Sequence, residues 1–229
     1  MHWLTGVFFG LLALIPSFVW LLFYLHEDFK HPEPKRLIFF TFLGGAAITA
    51  PVLLAQIMLN RWLPNFVAAY SPGALFGLAA IEESFKFLAA FWVVGRSKDF
   101  DEPLDAMIYI IVAALGFAAV ENVASIFQAV RGVASTGPIE TTMLRFVGAT
   151  LLHTLSSGLV GYYWGMAIIE KRAFIARIGS GLVLATVLHT LFNYLILRYE
   201  TITVPIIFLI FAGFFLLHDF ENLKKLEGI

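Results

Sequence analysis

The sequence predicts an all-α protein, a polytopic bundle of about seven membrane-spanning helices in a single domain over residues 1–229. Composition is the first observation: the chain is 60% hydrophobic and 14% charged, whereas soluble domains average about 45–50% apolar and about 25% charged residues. The second is segment length, because several apolar stretches reach the roughly 20 residues that a helix needs to cross a bilayer. The loops between these stretches are short, which leaves no room for a separate soluble domain.

The predicted spans follow one another along the whole chain. They cover about residues 3–25, 37–59, 71–94, 105–128, 146–169, 174–197 and 202–218. The first span follows only Met1 and His2, so it lacks the basic segment of a signal peptide and we expect a retained helix.

The basic residues flanking these spans predict the orientation of the bundle. One set of loops contains Lys30, Lys35, Arg36, Arg96, Lys98, Lys171, Arg172, Arg177, Lys224 and Lys225. The opposite set contains Arg61, Arg131, Arg145 and Arg198. Because loops rich in Lys and Arg stay in the cytoplasm, we expect the amino terminus outside and the carboxyl terminus inside.

Charge and cysteine content exclude several classes of function. The formal net charge of −1 offers no basic surface for phosphates, so nucleic acid is not an expected partner. The chain contains no cysteine, which excludes disulfides, thiolate metal sites and a cysteine nucleophile. A nucleophile would have to be a hydroxyl, a carboxylate or an activated water.

Polar side chains on four of the predicted spans lie at similar depth. They are Glu82, Glu83 and Lys86 on the third span, Glu121 on the fourth, His153 on the fifth, and His189 and Asn193 on the sixth. At 1.5 Å rise per residue, we place this set about 6–17 Å below the outer ends of its helices. An ionisable residue in a bilayer centre costs at least about 2.5–3.5 kcal/mol, and such residues are usually functional. We therefore expect a shared polar cavity in the outer half of the membrane.

The spacing within the set says which groups can pair. Lys86 follows Glu82 by four residues and Glu83 by three, so it can neutralise one glutamate and leaves the other uncompensated. His189 and Asn193 share one helix face. Taken alone, Glu121 or His153 could instead make a purely structural hydrogen bond.

Two kinds of hydrolytic chemistry fit these residues. Two histidines and a carboxylate form a ligand set for catalytic zinc, here His153, His189 and Glu121, with Glu82 or Glu83 as general base. Without metal, a glutamate and a histidine could activate water while Asn193 and the second histidine stabilise the oxyanion. Two hypotheses of another class remain: a proton-coupled transporter, or a non-catalytic membrane scaffold or immunity protein.

Four ordered blocks resemble those of the PrsW family of intramembrane proteases. "EESFK" at 82–86 resembles its EExxK motif, and "DAMIYIIVAALGFAAVEN" at 105–122 its second block, which ends in FxxxE. "RFVGATLLHTLSSG" at 145–158 and "LHTLFN" at 188–193 resemble the two later blocks, each centred on a histidine. The motif-bearing core runs over about residues 72–194. CAAX prenyl endopeptidases and bacterial Abi proteins form a wider related group, from which the chain departs at Lys86 and Glu121.

The resemblance implies a bacterial or archaeal multi-pass protease of the cell membrane. Its substrate would be a single-span membrane protein in the lipid bilayer, such as an anti-sigma factor cut near the outer face during regulated proteolysis. It also implies that Glu82, Glu83, His153 and His189 are essential, with Lys86 tuning the carboxylates. One divalent metal, Zn²⁺, is the expected cofactor, and the metal-free glutamate mechanism stays open beside it.

Overall fold

The structure, a computed structural model, describes residues 3–27, 31–62, 71–199 and 201–227, and its regular elements are all helical. The helices are α1 (Trp3–Glu27), α2 (Lys35–Trp62), α3 (Pro72–Val94), α4 (Pro103–Val130), α5 (Pro138–Arg145), α6 (Leu151–Glu170), α7 (Phe174–Arg198) and α8 (Thr203–Glu227). A π-helical turn, Phe146–Thr150, joins α5 to α6. The predicted all-α class is confirmed.

Six helical stretches of the described chain are long and apolar enough to cross a membrane. They are α1, α2, α4, the continuous stretch Pro138–Glu170, α7 and α8. The remaining predicted span, the third along the chain, corresponds to α3. This helix has 23 residues and carries Glu82, Glu83 and Lys86 near its middle. The chain is a multi-pass membrane protein, and the orientation of its termini stays a prediction.

The fifth predicted span begins later in the sequence than the helical stretch that the structure shows. We expected it at about 146–169, but the helical path begins at Pro138 and passes through the π-helical turn three residues before His153. A π-helical turn adds a residue to the helical repeat and is frequent at functional sites. An apolar periodicity does not reveal such a turn, because the flanking α-helical pattern continues on both sides.

Helix α4 lies at the centre of the bundle. Within its most apolar stretch 89% of the residues are buried, against 17% in α1, so α1 faces lipid and α4 faces protein. Helix α2 approaches α4 closely at two glycines: a Cβ on Gly45 would lie 1.9 Å from the Ala113 carbonyl oxygen, and one on Gly116 2.0 Å from that of Phe42. Glycine permits this backbone contact, which sets the position of α2 beside the core.

Local capping fixes where the two central site helices begin. The Ser71 hydroxyl accepts a hydrogen bond from the Ala74 amide at 3.3 Å, and Pro72 occupies the first helical position of α3. At the start of α4, Asp105 Oδ2 accepts from the amides of Asp101 and Glu102 at 3.0 and 2.9 Å. These caps satisfy backbone amides at the starts of α3 and α4, the helices that carry Glu82, Glu83 and Glu121.

Candidate active site

The structure brings the predicted ionisable side chains of α3, α4, α6 and α7 into one contiguous cluster. Glu83 and Lys86 are fully buried, and His153 and His189 are each 3% exposed. Glu82 and Glu121 are the more accessible members, with side chains 12% and 31% exposed. These differences in exposure correspond to differences in hydrogen bonding.

Glu83 is saturated with hydrogen bonds from the protein. Its Oε1 accepts from Lys86 Nζ at 2.6 Å, from Ser156 Oγ at 2.9 Å and from His189 Nδ1 at 2.7 Å. Its Oε2 accepts from Ser157 Oγ at 3.0 Å. A buried carboxylate is tolerated when it is paired and hydrogen-bonded in this way. The same bonds leave Glu83 little capacity to take a proton from water.

Lys86 connects Glu83 to His153. Its ammonium group lies 3.1 Å from His153 Nδ1 and 5.4 Å from the centre of the Phe117 ring. An ammonium can only donate, so His153 Nδ1 is the acceptor, and the imidazole proton resides on Nε2. Lys86 therefore sets the tautomer of one histidine and compensates the charge of one glutamate.

His189 is held in the opposite tautomer. A carboxylate can only accept, so Nδ1 carries the proton that is shared with Glu83. The lone pair is therefore on Nε2, which lies 3.7 Å from Glu82 Oε2. A carboxylate on the far nitrogen of a histidine is the usual arrangement behind a metal-binding imidazole.

One carboxylate oxygen of Glu82 accepts a hydrogen bond, and the other has no partner in the described chain. Its Oε1 accepts from Gln56 Nε2 of α2 at 2.8 Å. Its Oε2 is buried and has no hydrogen-bond partner within the described residues. An unsatisfied buried carboxylate oxygen is costly, so its retention points to an external partner.

Glu121 lies on the other side of His153. Its Oε2 is 2.8 Å from His153 Nε2 and 3.0 Å from Arg145 Nη2. Arg145 also donates through Nε to Asn122 Oδ1, and the Asn122 amide in turn donates to Thr150 Oγ1 at 3.1 Å. Glu121 is thus held by an arginine from the end of α5 while its Oε1 makes no hydrogen bond within the described chain.

A potential metal-binding group emerges from this geometry. Glu82, His153 and His189 each offer a ligand atom, and the three atoms lie within 4.8 Å of one another. The orphan Oε2 of Glu82 and the lone pair on His189 Nε2 fit a cation, whereas His153 would release its Nε2 proton on binding one. The sequence instead suggested Glu121 as the carboxylate ligand, and that assignment stays a prediction.

Asn193 stands apart from the hydrogen-bonded cluster. It lies one turn beyond His189 on α7 and is half-buried. Its side chain makes no hydrogen bond to any residue that the structure describes. The Asn193 amide is therefore not engaged by another described residue, and its contact with a reacting group stays a prediction.

Several side chains that hold the cluster were not among the predicted site residues. They are Gln56, Asn122, Arg145, Ser156 and Ser157. Arg145 lies at a predicted helix end and was considered only as one of the basic residues flanking the spans. Gln56 stands alone in the apolar run "PVLLAQIML", and the serine pair follows His153 in "HTLSSG". A polar residue within a predicted span was the available signal for all but Arg145.

Comparison with known proteins shows similarity to one family of membrane proteins. The family described as "PrsW family intramembrane metalloprotease" matches residues 33–218. A protein named Protease PrsW from Geobacillus kaustophilus is 28% identical over 78% of this chain and 74% of its own length. Another of that name from Oceanobacillus iheyensis is 27% identical over 80% of both chains, and one from Clostridioides difficile 26% identical over 82% of this chain and 78% of its own. No solved structure matches the chain significantly.

These similarities decide between the classes of function that the sequence left open. They place the chain among peptidases with a protein substrate, rather than among transporters or non-catalytic scaffolds. The relatives are bacterial. The match extends over most of the chain and includes every helix that contributes to the cluster. The chain therefore belongs to the PrsW family of intramembrane proteases.

Proposed function

We propose that the protein is a zinc-dependent endopeptidase in which Glu82, His153 and His189 hold the metal ion. The observation that carries the proposal is the buried, unpartnered Oε2 of Glu82, 3.7 Å from the lone-pair nitrogen of His189. Two histidines and one carboxylate leave a fourth position of zinc open for water or substrate. When bound, the ion would act as a Lewis acid on the scissile carbonyl and increase the acidity of water.

The remaining carboxylates have distinct roles in this proposal. Glu83 orients His189 by accepting a hydrogen bond from its Nδ1–H, so that Nε2 faces the metal position. Glu121 takes the proton of the attacking water, because its Oε1 makes no hydrogen bond in the described chain and its side chain is 31% exposed. Arg145 holds the other Glu121 oxygen. Glu82 and Glu121 thereby exchange the roles that the sequence suggested.

Lys86 and Asn193 complete the proposed machinery. Lys86 bonds to Glu83 and His153 and so keeps both side chains in place. Asn193 lies next to the histidine on α7, and its amide is available to donate to the developing oxyanion of the substrate.

The role exchange is tested by comparing Glu82→Gln with Glu121→Gln in detergent-purified protein. We expect Glu82→Gln to lose bound zinc and cleavage of a single-span membrane substrate. Glu121→Gln should retain about one zinc per chain and lose cleavage. The reverse result would restore Glu121 as the ligand. Wild-type protein that cleaves without any zinc would overturn the metal site in favour of the glutamate mechanism.

For the substrate we propose a single-span membrane protein, for example an anti-sigma factor, cut near the outer membrane face. The support is the predicted orientation, which places the cluster in the outer half of the bilayer. The chain contains no cysteine, so single cysteines introduced at Lys98 and Gly132 can report the sidedness of their loops. We expect an impermeant thiol reagent added outside intact cells to label Gly132→Cys and not Lys98→Cys; the opposite labelling would contradict outer-face cleavage.

A further inference from the structure

Helix α2 contributes one polar side chain to the cluster, Gln56, and it lies outside the motif-bearing core. Its Nε2 donates to Glu82 Oε1 at 2.8 Å. The residues from Pro51 to Leu59 are apolar except for Gln56 itself, so its side chain has no polar neighbour in that stretch of α2. An amide in a lipid-facing helix is retained where it finds a partner across the helix interface.

We infer that Gln56 is a positioning residue for the metal ligand Glu82. A carboxylate on a flexible side chain can present either oxygen, or both, to a neighbour. The Gln56 amide occupies Oε1 and leaves Oε2 as the oxygen that faces His189 Nε2. The inference rests on the proposed function, because it assigns Gln56 a task only if Glu82 binds the metal.

The packing of α2 supports this role. At Gly45 and Gly116 the backbones of α2 and α4 come into direct contact, since a Cβ at either position would overlap a carbonyl oxygen of the facing helix. A Cβ on Gly77 of α3 would likewise meet Leu59 Cδ2 of α2 at 3.0 Å. Helix α2 is thus fixed against both α4 and α3, so the amide of Gln56 reaches Glu82 from a rigid support.

A neutral amide is chemically suited to this position. A lysine or arginine here would form an ion pair with Glu82 and compete with a cation for the carboxylate. An amide donates one hydrogen bond and leaves the negative charge available to the metal. Outer hydrogen bonds to metal ligands typically change metal affinity or activity by about 10–100-fold when removed.

The test replaces Gln56 by Met, which has similar length and flexibility but no donor. We expect Gln56→Met to weaken zinc binding by about 10–100-fold in a chelator competition and to lower kcat by a similar factor with KM nearly unchanged. Gln56→Asn keeps the amide one methylene short and should show a smaller loss. Asn60→Met is the matched control, because Asn60 lies one turn further along α2, is exposed and makes no hydrogen bond to the described residues.

The outcomes separate this inference from the proposed function. Zinc affinity and kcat of Gln56→Met equal to those of a zinc-binding wild type would overturn the inference and leave the metal site standing. Equal losses in Gln56→Met and Asn60→Met would also overturn it, since α2 would then act through packing alone. A wild type that binds no zinc would overturn the metal site and the inference together.

Discussion

Glu82 and Glu83 are neighbours in the sequence and lie on two different sides of the cluster. Glu83 is fully buried and accepts four hydrogen bonds from side chains of α3, α6 and α7. Glu82 is 12% exposed, bonds to α2 through one oxygen and has a buried second oxygen without a partner in the described chain. Successive residues of a helix point about 100° apart, which is why the pair divides in this way.

The difference teaches that two buried carboxylates can serve separate purposes in one site. Glu83 uses its charge to join three helices and to set the tautomer of His189. Glu82 retains unused bonding capacity, which an enzyme can direct at a cation or a reacting group. The saturated side of the cluster stabilises the fold, and the unsaturated side is available for chemistry.

The largest expected difference between Glu83 and Glu82 is in protein stability when each is replaced by Gln. Glu83→Gln leaves the buried ammonium of Lys86 without its counter-ion and should destabilise the protein by about 3–5 kcal/mol. In zinc-free protein, Glu82→Gln removes an uncompensated charge and should change stability by less than about 1 kcal/mol. Thermal unfolding in detergent measures both. Comparable destabilisation by the two substitutions would contradict the division into a structural and a chemical carboxylate.

The close packing of α2, which holds Gln56 beside Glu82, is tested at Gly45. In Gly45→Ala the new methyl group overlaps the Ala113 carbonyl, with a Cβ–O distance of 1.9 Å before relaxation, so α2 must move. We expect a loss of about 3 kcal/mol in stability, together with reduced zinc affinity as Gln56 shifts from Glu82. Gly10→Ala is the control, because nothing lies within 4 Å of a Cβ there. Full stability of Gly45→Ala would argue against close docking of α2.

A smaller loss of stability is expected when one of the hydrogen-bond donors to Glu83 is removed. Ser157→Ala removes the hydrogen bond to Glu83 Oε2, and bonds to charged groups contribute about 1.5–3 kcal/mol. We expect a loss near the lower limit, since Lys86, Ser156 and His189 still hold the other oxygen. The exposed Ser180→Ala on α7 provides the comparison. A Ser157→Ala protein as stable as Ser180→Ala would mean that Glu83 does not need its second oxygen satisfied.

Much of the fold was predictable because the membrane imposes a simple rule on sequence. A span needs about 20 apolar residues, so long apolar runs identify helices directly. The charged α3 was predictable as well, since its flanks are apolar and three charged residues do not shorten it. The start at Pro138 and the π-helical turn were not predictable, because a one-residue change in helical repeat leaves hydropathy unaltered.

The composition of the cluster was partly predictable for a related reason. Ionisable residues are rare inside a membrane, so Glu82, Glu83, Glu121, His153 and His189 stand out by their cost alone. Serines and glutamine carry a smaller cost and do not stand out. Arg145 lies at a helix end, where a basic residue is ordinary, and only the fold directs it inward to Glu121.

By itself the sequence determined that this protein is a helical membrane protein with a polar cluster at one depth, because hydrocarbon tolerates neither unpaired backbone nor isolated charge. The tertiary structure decided which carboxylate is saturated and which retains a free oxygen. That distinction depends on the rotation of each helix and on donors from α2, α6 and α7, which lie far from Glu82 and Glu83 along the chain. Sequence spacing does not specify such contacts between helices, and they assign the roles within the site.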